Sequence, residues 1–274
     1  MAEETDVGIT VRKVAEEFLK LKTEYEHKNN YACQSILEKI KRKLISLPTF
    51  LNPTAQSRTR AEELMITREV LEHGVLVSAR LGDLDSFELY FNQLNVYYTD
   101  IASAELPESP LYLLILGLNL VRLLVRNRIA QFHSELEKIP NQIHGTNTYI
   151  RFAVLLERYL MEGSYKKLLN SRHQAPSNEY IPIVGMLEST VRQEVAECIP
   201  RSYNTLSIDK AQRILMVDSE EEVRQIGRTH NWHLSADGRS FVFTREEDLA
   251  RREVPFEEML KNHLHFAAEL QRIV

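Results

Sequence analysis

"SEEEVRQIGRTHNWHLSADGRSFVF" occupies residues 219–243 and joins two periodicities without a gap. Asp218 or Ser219 stands where a helix N-cap is expected, with Glu221 or Glu222 placed to close a capping box. Past the helix, Trp232 and Leu234 alternate with polar neighbours, Ser-Ala-Asp-Gly-Arg supplies a turn, and Phe241 and Phe243 resume the alternation. A helix therefore runs straight into a two-stranded hairpin. A short helix from a Ser207 cap to Met216 and an apolar helix over 181–199 precede it, and the whole predicts a small winged helix.

Winged helices often read DNA, but this one has the wrong charge. The first turn of a recognition helix faces base edges and phosphates, and here it is Glu220, Glu221 and Glu222. Over 205–243, Lys210, Arg213, Arg224, Arg228 and Arg239 are outnumbered by Asp209, Asp218, the three glutamates and Asp237. Carboxylates at the positive end of a helix dipole are stabilising, yet they repel a phosphate backbone. No nucleic-acid partner is expected. A hairpin has another use, because its outer edge carries unpaired backbone groups to which a strand of another protein can add.

The chain as a whole agrees. Its 274 residues carry 34 basic and 39 acidic side chains, a formal charge of −5, so no global attraction draws it to phosphates or anionic lipid. Cys33 and Cys198 lie far apart in a chain with no glycosylation sequon and no apolar leader, which predicts two free thiols in a reducing compartment. The most apolar run, Leu111 to Val125, contains Asn119 and Arg122 and is short for a membrane span. It reads as a buried helix.

Upstream of residue 200 the periodicity is helical, with breaks at Pro48 and Pro53 and at 104–110, 139–148 and 171–177. One helix runs from an Asp83 N-cap through Tyr98. Leu84, Phe87, Phe91, Leu94 and Tyr98 share one face, with Leu89 and Val96 nearly opposite, so it is expected to pack on two sides. Small polar turns recur as "HKNNY", "LGDLD", "VRNRI" and "MEGSY" at uneven spacing. Helices stacked in sequence across such turns predict a tetratricopeptide-like (TPR-like) solenoid without a strict period.

Downstream of the hairpin, a polar bridge leads to Pro255, a suitable first helical residue. At 100° per residue, Phe256, Leu260, His263, Ala267, Leu270 and Val274 fall within about 40° of one line, flanked by Met259, Leu264 and Phe266. Glu257, Glu258, Lys261, Asn262, His265, Glu269 and Arg272 take the other side.

No phosphate loop, dinucleotide fingerprint, zincin pair or nucleophile elbow is present. His230, His233 and Asp237 come nearest to a metal set, but they straddle a helix-to-strand change and lack a completing ligand. His263 and His265 point apart on their helix. Glu16 with Glu17 and Glu135 with Glu137 read as solvated faces, and Lys39, Lys41, Arg42 and Lys43 as the C-terminal turn of a helix. Neither catalytic residues, nor a cofactor, nor a metal is expected, and the chain does not read as an enzyme.

Helical pairs leading into a winged helix resemble the PCI module shared by the proteasome lid, the signalosome and translation initiation factor three. Residues 64–94 ("LMITREVLEHGVLVSARLGDLDSFELYFNQL"), 132–139 ("FHSELEKI") and 156–169 ("LERYLMEGSYKKLL") are similar to the family of small non-ATPase PCI subunits of the 26S proteasome regulatory-particle lid. The resemblance extends over nearly the whole chain.

It implies a mostly α fold: a TPR-like region over 1–180, a winged helix completing the PCI module over 181–245, and a linker with an assembly helix over 246–274. It also implies a non-catalytic scaffold in cytoplasm and nucleus, in a hetero-oligomer with other PCI and lid subunits and with the base, in ubiquitin-dependent protein degradation. A small PCI subunit of the signalosome or the initiation factor is the alternative. In the lid such winged helices meet side by side and the C-terminal helices form a bundle. The resemblance thereby assigns partner contacts to the wing edge, Ser240, Phe241, Val242, Phe243 and Thr244. It assigns others to Phe256, Met259, Leu260, His263, Leu264, Ala267, Leu270 and Val274 of the tail.

Overall fold

A computed structural model of the chain describes residues 2–46, 50, 60–101, 107, 109–217, 219–235, 238–243 and 256–273. The chain divides into two compact units, Met1–Thr190 and Val191–Val274.

The first unit is helical throughout its described residues. It comprises α1 (Ala2–Glu26), α2 (Asn30–Leu44), α3 (Arg60–Leu81) and α4 (Leu84–Val96), which passes into a π-helical turn at Tyr97–Ile101. After these come α5 (Tyr112–Val125), α6 (Ile129–Glu137), α7 (Asn141–Thr146), α8 (Thr148–Met161), α9 (Tyr165–Leu169) and the start of α10 (Tyr180–Ser202). Helices close in sequence pack on one another, α1 on α2, α2 on α3, α3 on α4, α5 on α6 and α8. Packing dominated by helices close in sequence is the pattern of a solenoid.

The four recurring polar turns share one backbone device. Lys28, Gly82, Asn127 and Gly163 all have positive φ, between 55° and 74°. In each turn the next residue donates back five positions, as Asp83 does to the Ser78 carbonyl at 3.1 Å and Ser164 to the Tyr159 carbonyl at 2.9 Å. The left-handed residue donates back three, and together these bonds satisfy carbonyls that the helix end would orphan. Gly and Asn bear this conformation at little steric cost, which is why small polar residues mark the joints although the helix lengths between them differ. Asn231 repeats the device at the end of the winged-helix stretch, where Trp232 donates to the Gly227 carbonyl at 2.8 Å.

After the second turn Asp83 caps α4 as expected. Its carboxylate accepts from the backbone N–H groups of Asp85 and Ser86, both at 3.2 Å. Hydrogen bonding from Ser86 holds the carboxyl below its ordinary value. Replacing Asp83 with alanine is expected to cost about 1 kcal/mol, read as a shift in urea midpoint without a change in m-value.

The two-sided packing expected of α4 is corrected. Phe87, Phe91 and Leu94 are buried, but Leu89 is 63% and Val96 38% exposed. Helix α3, buried on nearly every side from Leu64 to Ala79, covers one face of α4, and among the described residues nothing covers the opposite one. The run expected to be a buried helix is α5, with Ile115 through Leu124 all buried. Gly117 within it lets the wholly buried Tyr180 approach, since a Cβ there would run into the Tyr180 hydroxyl, which donates to the Leu114 carbonyl at 3.2 Å. No described helix is long and apolar enough to cross a membrane.

In the second unit the rest of α10 is followed by β1 (Thr205–Ser207), α11 (Ile208–Leu215), α12 (Glu220–Thr229), β2 (His233–Leu234), β3 (Ser240–Val242) and α13 (Phe256–Ile273). Ala196, Ile199, Leu206, Ala211, Leu215, Val223, Trp232, Phe241 and Phe243 form one core. Trp232 meets both phenylalanines edge-on, at 5.1 and 5.5 Å between centroids. Gly227 is small because the Phe241 ring lies 3.0 Å from where its Cβ would be. Ser219 caps α12 by accepting from the Glu221 N–H at 3.2 Å; Asp218, the other candidate, lies outside the described residues. Cys33 is buried and Cys198 exposed, and neither is in a disulfide.

Candidate assembly surfaces

The wing is a three-stranded antiparallel sheet in the order β1-β3-β2, and this overturns one expectation. Ser240, Phe241 and Val242 form the central strand, paired on one side with Ser207, Leu206 and Thr205 and on the other, through Phe241 and Val242, with Leu234 and His233. The ladder is extended at Phe243, whose N–H donates to the Asn204 carbonyl at 2.8 Å. These residues are therefore not an edge. Phe241 and Phe243 are buried in the unit's core, Ser240 is half-buried, and only Val242, 37% exposed, reaches the surface. Thr244 lies outside the described residues.

Among the described residues the outer strands of the sheet are β1 and β2. Ser235 donates to Ser240 across the hairpin, so in the antiparallel alternation the backbone groups of Leu234 point away from β3. On the other side, Ile208 donates to the Arg239 carbonyl and Phe243 to that of Asn204. Leu206 must then face β3, and Thr205 and Ser207 face outward. Leu234 is 48% exposed, a side chain and a backbone edge presented together. The sequence reading missed β1 because three residues are too few to establish a period; Leu206 and Ile208 flanking Ser207 are the only signal.

At the start of α12, Glu220, Glu221 and Glu222 are all exposed, with Arg224 lying 3.7 Å from Glu220 one turn along. The face a DNA-reading helix would present is acidic. A hollow of about 380 Å³ opens beside it, with Met216, Val217 and Ile226 among its lining residues and Glu222 at its rim. His230 lies against the Trp232 ring, 6.4 Å between centroids, and His233 is exposed in β2. Asp237 lies outside the described residues.

Helix α13 presents an apolar surface among the described residues of the second unit. Every side chain described on it is exposed, including His263 and Ala267. Phe256 and Phe266 are 71% and 68% exposed, and Met259, Leu260, Leu264 and Leu270 are at least half exposed. Val274 lies outside the described residues. Single exposed apolar side chains are ordinary; a continuous stripe is a candidate binding surface.

Two kinds of comparison bear on these surfaces. Residues 110–252 match the model of the CSN8/PSMD8/EIF3K family. Among curated proteins, the chain is 35% identical to the 26S proteasome non-ATPase regulatory subunit 8 homolog A of Arabidopsis thaliana, over 96% of this chain and 98% of that protein. It is 33% identical to the 26S proteasome regulatory subunit RPN12 of Saccharomyces cerevisiae, over 80% of this chain and 81% of that one. With the 26S proteasome non-ATPase regulatory subunit 8 of Caenorhabditis elegans the identity is 31%, over 80% and 87%.

Proposed function

The chain belongs to the CSN8/PSMD8/EIF3K family, and from that membership we propose that it is a non-catalytic subunit of the 26S proteasome regulatory-particle lid. In this reading it joins other PCI subunits, helps attach the lid to the ATPase base, and works in cytoplasm and nucleus. The carrying observation is the likeness to a proteasome regulatory subunit along almost the full length of both chains.

The structure supports a scaffold in physical terms. Burying the six to eight apolar side chains of the α13 stripe is worth about 10 kcal/mol in gross transfer energy. Association and side-chain ordering subtract several kcal/mol, and the surplus is enough to hold a subunit in a complex. The outward backbone groups of Leu234, Thr205 and Ser207 offer a second, directional contact by strand addition, replacing the β3 assignment.

The test is to tag the N-terminus, leave α13 unencumbered, purify the native complex, and measure its mass and ATP-dependent peptidase activity. A proteasome-sized, active particle is expected. A smaller complex without ATPases would move the protein to a signalosome or initiation-factor assembly, and a lone monomer would overturn the scaffold reading.

A further inference from the structure

Arg122 and Asn119 interrupt the apolar run of α5, and both are deeply buried, at 4% and 2% exposure. Burying a guanidinium is costly unless its charge and its donors are engaged. Nε and Nη2 of Arg122 both donate to Asn119 Oδ1, at 3.1 and 2.9 Å. Nη1 lies 2.8 Å from Glu88 Oε2 as an ion pair. Burial pushes the Arg122 pKa down, against the pull of Glu88. Arg128 also reaches Glu88, donating from Nη1 to Oε1 at 3.0 Å. One carboxylate thus serves two guanidiniums.

These groups line a hollow of about 270 Å³ between α4, α5 and α6, with Asn92, Gln131, Phe91 and Leu123 completing much of its wall. The neighbouring charges do not remove the imbalance. Glu135, also on the wall, is paired with Lys138 at 2.7 Å, and Arg126 beside the hollow is paired with Asp85. Arg128 is half-exposed and spends one of its donors on Glu88, where a guanidinium has five. The Asn119 carbonyl oxygen accepts both of its bonds from Arg122, and Asn119 lines the hollow.

We propose that this hollow is a binding site for a single glutamate side chain of a partner protein. The carboxylate would take hydrogen bonds from Arg128 and from the Asn119, Asn92 and Gln131 amides. An unbalanced charge of one matches a carboxylate rather than a phosphoryl dianion. The Phe91 and Leu123 walls suit the methylene stem of glutamate, which a bare chain terminus lacks. The site lies wholly within the first unit.

The probes are the capped peptides acetyl-Gly-Glu-Gly-amide and acetyl-Gly-Gln-Gly-amide, and inorganic phosphate, each titrated into the ¹⁵N-labelled full chain and followed by NMR. The Asn119, Asn92 and Gln131 side-chain amide signals and the Arg128 Nε signal are expected to shift saturably with the glutamate peptide only. Arg128→Gln should weaken that response at least about tenfold, the loss of one charge-assisted bond. Its thermal midpoint should stay near that of the wild type, because Arg128 is half-exposed. An equal response to the glutamine peptide, tighter binding of phosphate, shifts spread over all basic residues, or no saturable shift would each overturn the assignment. None of these outcomes depends on lid assembly.

Discussion

A chain lacking residues 255–274 is expected to fold with an unchanged thermal midpoint and yet be absent from the purified regulatory particle. The first half follows from burial: every described side chain of α13 is exposed, so removing the helix uncovers none of the core formed by Trp232, Phe241 and Phe243. The second half rests on the proposed burial of the stripe, worth about 10 kcal/mol in gross transfer energy.

Leu264→Glu should reproduce much of the assembly defect, because a charge placed in an apolar interface is desolvated without a partner. Glu258→Ala, about 160° from the centre of the stripe and exposed, should be silent. The checks are thermal unfolding of the isolated chain and quantitative mass spectrometry of the tagged particle. If the truncated chain unfolds, α13 belongs to its own core and the assembly argument fails.

Glu179→Gln is expected to cost about 3 kcal/mol at neutral pH, and the cost should disappear in acid. Glu179 is only 12% exposed at its side chain, where Arg80 lies 2.8 Å away. It accepts from Arg80 Nε and Nη2 and, at 2.9 Å, from the Tyr25 hydroxyl. Arg80 also donates to the Tyr25 carbonyl, and its guanidinium lies 3.5 Å from the centre of the Tyr25 ring. One carboxylate thereby ties the end of α1 to α3 and to the chain just before α10.

Burial acts to raise the Glu179 pKa, but Arg80, its own backbone amide and the Tyr25 hydroxyl prevail and hold it at about 2, against an ordinary 4.5. A displacement of that size corresponds to about 3 kcal/mol. Since the folded value is depressed, this stability is fully present above pH 4.5 and drains away as pH falls toward 2. Glu72 acts in the opposite sense, because burial raises its pKa and protonation relieves the folded state as pH falls. Taking the difference between the variant and the wild type cancels that contribution. Urea unfolding of both proteins at pH 7, 4.5 and 2.5 is the measurement, and a difference that stays constant across this range would sink the account.

The features legible in the sequence are those set within a few residues. A helix declares itself by a 3.6-residue period, and its end by the Gly or Asn that adopts positive φ, so the solenoid joints at Gly82, Asn127 and Gly163 could be read directly. The acidic first turn of α12 and the stripe of α13 are likewise properties of one helix each. They argue against DNA and for a partner surface from local sequence alone.

Contacts between distant segments were not legible in this way. The pairing of Thr205 with Val242 depends on where the chain returns, and it converts the supposed edge strand into the centre of the sheet. The exposure of Leu89 depends on which helices cover α4. Glu179 meets Arg80 across 99 positions of chain, where no local charge pattern links them. Periodicity shows which side of an element can be buried, because side-chain direction follows from backbone geometry alone. Which segment covers that side, and which edge stays open, is decided by non-local packing, and only the tertiary structure of this protein supplied it.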